Sequence, residues 1–251
     1  QENTLRTDSG VQILEYPVAP GKNIRKAGQQ IAEGAVALSA GTLISPGGVG
    51  FLKGMDVNEV QVYAKPNVGL LVTGDELLRA GEPLVPGKIY ESNSDMLTAA
   101  LKQLGIDTVT VAYASDDLEA TVNALRGLLG SNDVVLASGG ISVGDYDFVG
   151  KALEALGAET LFYKIRQKPG KPLLFGKKGD KLIFALPGNP ASSLVCFYEY
   201  VLPALKTLLG SNEPFLRSVR LPIRHAYRFD GERDEFLKAK VEGNEVVSLD
   251  G

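Results

Sequence analysis

Five short segments hold the side chains that could do chemistry, and each lies at or just beyond the end of a predicted strand. In chain order they are Thr73–Leu77, Ser115–Asp117, Ser138–Asp147, Lys164–Pro172 and Leu186–Ser192. Open parallel sheets bind ligands beyond the carboxyl ends of their strands. We therefore expect a functional site where these segments meet.

The glycine-rich segment Ser138–Asp147 is the strongest single signal. Its glycines let backbone N–H groups approach a phosphate, and the helix predicted after it presents its N-terminus to the same anion. The spacing is close to that of a P-loop, but Asp145 stands where the P-loop lysine would be. This disfavours nucleotide hydrolysis, and a tight turn without a ligand is the alternative.

Acidic side chains follow the first two strands of this region. Asp75 and Glu76 are adjacent carboxylates that could bind Mg²⁺, a hard ion that prefers oxygen ligands; a polar turn is the alternative. Asp116 and Asp117 precede a predicted helix, where negative charge favours the positive end of the helix dipole. For these two, a capping role is the interpretation favoured in isolation.

Basic and capping residues follow the last strands. Pro and Gly hold Lys164, Lys168 and Lys171 in an extended loop, and clustered ammonium groups attract phosphate or another oxyanion. A solvated loop is the alternative. The segment Leu186–Ser192 opens a long predicted helix, whose backbone donors would form a second anion site. The alternative is that this segment is only a helix cap flanked by rigid prolines.

The composition excludes several classes of function. Acids outnumber bases by 30 to 26, for a net charge of −4, so the basic surplus of a nucleic-acid binder is missing. The single cysteine, Cys196, excludes an intrachain disulfide and a cysteine-rich zinc site, and we expect it to be a core residue in a reducing cytosol. No apolar run reaches the roughly 18 residues of a membrane span. The polar start and the abrupt end predict sequence missing at both ends.

The elements that position the five segments alternate between strand and helix. We predict a mostly parallel, three-layer α/β sheet domain over residues 66–213, because this rhythm is typical of parallel sheets with helices on both faces. The predicted strands are Val68–Val72, Thr108–Ala112, Val134–Ala137, Leu161–Ile165, Leu173–Phe175 and Leu182–Leu186. The predicted helices start near Asn93, at a Ser115 cap, at Phe148 and near Ala191, the last with a kink at Pro203.

The flanking segments are predicted to be smaller β-rich domains. Residues 1–65 contain short apolar runs between Gly and Pro. One helix is predicted to start here, with Ser45 as its cap and Pro46 in its first turn. Residues 214–251 are β-like again. The candidate strands are Val11–Leu14, Ala35–Leu38, Arg217–Pro222 and Phe236–Val241.

Taken together, these segments resemble the molybdopterin molybdenumtransferases, a family to which the C-terminal half of gephyrin is similar. The resemblance rests on four motifs in order within one domain, at Thr73–Leu77, Ser138–Asp147, Lys168–Pro172 and Leu186–Ser192. Further similarity covers nearly all of the 251 residues, through Asn23–Arg25, Ala40–Thr42 and Arg233–Phe236.

The resemblance implies a molybdopterin-binding fold and a transferase reaction of molybdenum cofactor biosynthesis. In that reaction adenylylated molybdopterin binds, molybdate enters the dithiolene, and AMP leaves in a Mg²⁺-assisted step. The resemblance also implies a cytoplasmic homodimer with a pterin substrate, whose cleft takes residues from both subunits.

The resemblance further implies roles for individual residues. The catalytic residues would be Glu76, Asp116, Asp147, Lys164 and Lys168. The metal ligands would be Asp75, Glu76 and Asp147. The residues that bind the pterin substrate, its phosphate or molybdate would be Gly139, Gly140, Ser142, Gly144, Lys171, Pro187, Gly188, Asn189, Pro190, Ser192 and Arg233.

One departure from the family pattern bears on activity. Gln30 replaces an acid that contributes to the site in relatives, and an amide carries no charge. Two alternatives stay open: an adenylyltransferase of molybdopterin, which shares the same central fold, and a gephyrin-like scaffold, which needs no intact metal site and which the Gln30 departure favours. The flanking β segments argue against the first, since such relatives are usually a single domain.

Overall fold

A computed structural model of the chain describes residues 3–141, 147–229 and 231–249. Its contacts divide it into two units, one ending at Asn58 and the other beginning at Glu59. All five predicted functional segments belong to the second unit. The domain boundaries predicted after residues 65 and 213 stay predictions.

The first unit contains a hairpin and a short helix. Its elements are β1 (Thr4–Thr7), β2 (Gly10–Ile13) and α1 (Pro46–Lys53). β1 and β2 pair antiparallel. Ser45 Oγ caps α1 by accepting a hydrogen bond from Gly48 N at 3.1 Å, which confirms the predicted helix start. The strand predicted at Ala35–Leu38 is wrong, because those residues form bends and loop.

The second unit is organised around a six-stranded, mostly parallel sheet. The strands of this part of the unit are β3 (Val68–Thr73), β4 (Leu77–Leu78), β5 (Ile89–Tyr90), β6 (Val109–Ala114), β7 (Val134–Ser138), β8 (Glu159–Tyr163), β9 (Gln167–Lys168), β10 (Leu174–Lys178) and β11 (Lys181–Leu186). The large sheet has the order β6-β3-β7-β11-β10-β8. In it β6, β3, β7 and β11 run parallel, and β10 runs antiparallel to both of its neighbours. The carboxyl ends of β3, β7 and β11 therefore lie at one edge.

Helices cover both faces of this sheet and complete three layers. They are α2 (Asn93–Gln103), α3 (Leu118–Ser131), α4 (Phe148–Ala155), α5 (Pro190–Cys196) and α6 (Leu202–Leu208). Leu70 and Val72 of β3 pack into a core with α2, α5 and α6, whereas Leu71 packs into a second core with α3 and α4. Side chains alternate along a strand, so a strand that is apolar throughout is buried on both faces. This arrangement confirms the predicted α/β class.

Two helix features differ from the prediction. The cap of α3 is Asp117 and not the predicted Ser115. The Asp117 carboxylate accepts a hydrogen bond from Ala120 N at 2.8 Å. Between α5 and α6 the chain forms a π-helical turn at Phe197–Val201. Because Pro203 has no N–H to donate, the helix is irregular just before it, and the irregularity takes the form of a π turn.

The C-terminal residues add short strands whose positions differ from the prediction. They are β12 (Asp234–Glu235), β13 (Ala239–Glu242) and β14 (Glu245–Ser248). β13 and β14 form an antiparallel hairpin, and β12 pairs in parallel with β9. The strand predicted at Arg217–Pro222 is wrong, and the one predicted at Phe236–Val241 begins only at Ala239. Across the described ranges, no helix combines the length and apolar character that a membrane crossing requires.

Cys196 provides a test of the core beneath α5. Its thiol is fully buried, and burial raises its pKa to about 12, so almost none of it is thiolate at neutral pH. We expect iodoacetamide to leave the folded protein essentially unmodified and to alkylate Cys196 rapidly in concentrated urea, as measured by mass spectrometry. It is the single cysteine of the chain, so every label reports on this position. Equal rates with and without urea would contradict the packing.

Candidate functional site

The loops that follow β3, β7 and β11 meet around a cavity of about 660 Å³. β3 and β11 flank β7 and run parallel to it, which brings their carboxyl ends together. A cavity of this size suits a ligand of cofactor dimensions. The predicted site residues that line it are Glu76, Asp116, Gly139, Gly140, Pro187, Gly188, Asn189, Pro190 and Ser192.

The glycine loop lies directly against the end of β3. Gly139 and Gly140 have φ angles of +87° and +60°, which glycine adopts without strain. A Cβ atom at Gly139 would lie 2.5 Å from the carbonyl oxygen of Thr73, and one at Gly140 would lie 2.6 Å from Thr73 Oγ1. Only glycine fits at these two positions, because the loop lies so close to Thr73. The loop therefore presents backbone atoms, and no side chains, to the cavity at Gly139 and Gly140. The predicted residues Ser142 and Gly144 lie outside the described residues.

Asn93, at the start of α2, joins three walls of the cavity. Its Nδ2 donates hydrogen bonds to Ser138 Oγ and to Gly188 O, both at 2.7 Å. The orientation of the amide is fixed, because the Gly188 carbonyl can only accept. The sequence indicated Asn93 only as a helix start, since its partners lie 45 and 95 residues away along the chain.

The predicted acidic ligands have different partners. Asp75 and Asp116 each accept a hydrogen bond from the backbone N–H of the other, at 3.1 and 3.2 Å, and Asp116 shares the cavity with Glu76. Asp147 instead caps α4, and it also accepts a hydrogen bond from Tyr163 OH at 3.3 Å. Within the described ranges, no group of three or more His, Cys, Asp or Glu side chains is placed to hold a metal. The metal role of Asp75, Glu76 and Asp147 therefore stays a prediction.

The three predicted lysines also have separate surroundings. Lys168 Nζ lies 2.6 Å from Glu235 Oε1, because β9 and β12 pair with these two residues opposite each other. Lys164 Nζ lies 4.8 Å from the centroid of the Tyr163 ring. Pro172, which follows Lys171 in the chain, lines the 660 Å³ cavity. The loop thus reaches this cavity at its C-terminal end and contacts β12 nearer its N-terminal end.

A buried amide anchors the lysine loop to the helical layer. Gln167 donates from Nε2 to Pro169 O at 2.7 Å, and its Oε1 accepts from Tyr200 OH at 2.6 Å. Burial raises the pKa of Tyr200, so the hydroxyl stays protonated and can donate. A Cβ atom at Gly170 would lie 2.6 Å from Cys196 Sγ. The loop therefore rests directly on α5 and on the π turn that carries Tyr200.

A second cavity, of about 340 Å³, is formed by the lysine loop and the C-terminal residues. It is lined by Lys168, Tyr227, Arg228, Gly231, Arg233 and Glu235. Two predicted residues, Lys168 and Arg233, thus meet here and not in the larger cavity. Lys168 precedes Pro172 of the larger cavity by four residues, which span at most roughly 14 Å of extended chain.

Comparison with known sequences identifies related proteins. Residues 69–207 match a family described as "Probable molybdopterin binding domain". The chain is 36% identical over 213 residues to a molybdopterin molybdenumtransferase of Haemophilus influenzae, which covers 85% of the chain and 52% of that relative. It is 37% identical over 194 residues to the protein of the same name from Bacillus subtilis, which covers 77% of the chain and 45% of that relative. The chain thus spans about half the length of the curated relatives it matches.

Comparison with solved structures gives a concordant result. The fold is similar to the crystal structure of a molybdopterin biosynthesis MoeA protein from Pyrococcus horikosii, with a TM-score of 0.78 and 30% sequence identity. The match covers 99% of this chain and 61% of that protein. It therefore includes the flanking segments as well as the large sheet.

Tyr200→Phe tests the anchoring of the lysine loop. The substitution leaves Gln167 Oε1 buried without its donor, so we expect the free energy of unfolding to fall by about 1–3 kcal/mol, measured by urea titration. Tyr198→Phe is the matched control. Tyr198 belongs to the same π turn, but its hydroxyl lies 3.5 Å from Gln103 Oε1 at the exposed surface, so its loss should cost less than about 0.5 kcal/mol. Equal losses in both variants would contradict the anchoring role.

Proposed function

The chain belongs to the molybdopterin-binding domain family, and from that premise we propose that it inserts molybdenum into adenylylated molybdopterin and releases AMP. The relatives named molybdopterin molybdenumtransferase support this reaction. The observation that carries the proposal is the 660 Å³ cavity, where the acids Glu76, Glu91 and Asp116, a glycine loop and the start of α5 line one ligand-sized space. The working form is proposed to be a cytoplasmic homodimer, as the family resemblance implies.

Backbone groups at this cavity suit the anionic part of the proposed substrate. The glycine loop brings backbone to the cavity wall, and the segment Gly188–Ser192 opens a helical run that continues to Leu208. Helix N-termini favour phosphate because the dipole is positive there and the N–H groups that are not used in capping can donate; at α5 the Asn189 side chain accepts from Ser192 N. Such local groups are needed, since the chain as a whole has a net charge of −4.

The donor set at the same cavity fits Mg²⁺. Glu76 and Asp116 supply carboxylate oxygens, and Mg²⁺ is commonly held by one or two carboxylates together with substrate phosphates. Asp116 is oriented by its hydrogen bond from the Asp75 N–H. Bound to Glu76 and Asp116, the ion would neutralise part of the charge of the phosphoanhydride.

The smaller cavity is proposed to take molybdate as substrate. Lys168 and Arg233 contribute positive charge to it, and preoriented cations stabilise an oxyanion more strongly than water does. The short chain distance between Lys168 and Pro172 keeps this cavity within reach of the larger one.

Glu76→Ala and Asp116→Ala test the enzymatic role of the carboxylates. We expect molybdate-dependent AMP release from adenylylated molybdopterin to fall by about two orders of magnitude, because charge stabilisation at such a site is worth several kcal/mol. The control is Glu119→Ala, an exposed acid in the first turn of α3, which should retain full release. If AMP release were unchanged in both site variants, the enzymatic role of these carboxylates would be excluded and a binding role would remain.

Lys168→Ala tests the electrostatic part of the proposal. We expect weaker binding of molybdate in calorimetric titrations, with a loss that shrinks as salt is raised, because the screening length falls from about 10 Å at 0.1 M to about 3 Å at 1 M. Lys177→Ala removes an exposed lysine of β10 that pairs with Glu159 and should not change the affinity. A loss that is independent of salt would argue against an electrostatic role for Lys168.

A further inference from the structure

The smaller cavity contains an acid among cations. Of the described residues that line it, Lys168, Arg228 and Arg233 are basic, and Glu235 is acidic. An oxyanion that enters this space is attracted by the basic side chains and repelled by the carboxylate. A site built only to hold an anion would gain nothing from Glu235.

Backbone and side-chain contacts together hold Glu235 at Lys168. β9 and β12 pair in parallel with these two residues opposite each other, and the backbone N–H of Phe236 donates to Lys168 O at 2.9 Å. Glu235 Oε1 lies 2.6 Å from Lys168 Nζ, and Oε2 accepts from Tyr227 OH at 2.6 Å. Both carboxylate oxygens therefore have partners within the cavity wall.

The lysine is the partner that is able to move. The side chain of Lys168 is 60% exposed, whereas that of Glu235 is 11% exposed. The hydrogen bonds from Lys168 and Tyr227 lower the pKa of Glu235, so the carboxylate is ionised at neutral pH. Ion pairs with an exposed member are weak, and an oxyanion can therefore draw the ammonium group away from Glu235.

We propose that Glu235 is an internal counter-ion that competes with a bound oxyanion for Lys168 and so sets the oxyanion affinity of the smaller cavity. The inference rests on the proposed function, in which this cavity takes molybdate. Tight binding of a substrate in its ground state does not accelerate a reaction. By weakening the hold of Lys168 on the ion, Glu235 allows the ion to leave for the larger cavity.

Glu235→Gln is the direct test, because it removes the charge and keeps the shape of the side chain and one acceptor oxygen. Calorimetric titration of the 251-residue chain with sodium molybdate should give a Kd about fivefold lower than that of the unsubstituted protein, on the scale of an exposed ion pair. Sodium sulfate, a second tetrahedral dianion, should shift in the same direction. A purely structural role, in which Glu235 only holds Lys168 in place, predicts weaker binding instead.

Glu159→Gln is the matched control. It makes the same change in another Lys–Glu ion pair, with Lys177 at 3.2 Å, and neither residue lines the cavity. The molybdate affinity of this variant should be unchanged. An unchanged or raised Kd in Glu235→Gln overturns the inference.

Molybdate-dependent AMP release by the unsubstituted protein reports on the proposed function separately. If release occurs and Glu235→Gln does not bind molybdate more tightly, the inference alone fails. If neither release nor molybdate binding is found in the unsubstituted protein or in Glu235→Gln, both the inference and the proposed function fail.

Discussion

The buried amide of Asn93 is the constraint on which the geometry of the larger cavity depends. Its two N–H groups connect α2 to the end of β7 and to the loop after β11. An acceptor left without its donor in such a place costs about 1–3 kcal/mol, so the three segments keep their spacing. On the other side, Gly139 and Gly140 lie against Thr73 with no room for a side chain. The two hydrogen bonds from Asn93 Nδ2 and the close packing against Thr73 therefore define the shape of the cavity before a ligand enters.

The lysine loop is held in two chemically different ways. Gln167 donates a hydrogen bond to Pro169 O and accepts one from Tyr200 OH, and both bonds are neutral and largely shielded from water, so they fix the backbone whatever the salt concentration. The bond from Lys168 to Glu235 is ionic, and its lysine is largely exposed. The first contact positions the loop, and the second leaves its charged end able to respond to an anion. A loop held only by ion pairs would lose its shape whenever an oxyanion competed for them.

The parts of the fold that could be predicted from the sequence are those encoded over short stretches. The apolar run Val68–Val72 is buried on both faces, as such a run must be in a parallel sheet. Ala35–Leu38 is equally apolar but forms no strand, because an apolar run becomes a strand only where a neighbour pairs with it. The candidate site follows the same rule. Strand ends indicated which loops converge, whereas Asn93, Gln167 and Glu235 act through contacts with residues that no local pattern connects to them.

The distribution of charge is compatible with the two anionic substrates proposed for this acidic protein. Glu76 and Asp116 line the larger cavity, where a cation and backbone donors must offset their charge. Lys168 and Arg233 line the smaller one. An oxyanion placed beside the unneutralised carboxylates would be repelled within a few ångströms, so separate cavities allow each anion to be bound before the two are brought together. Lys168 lines the smaller cavity and Pro172 lines the larger one. In the proposed exchange of Glu235 for an oxyanion, Lys168 would therefore change its partner within four residues of the place where the pterin would lie.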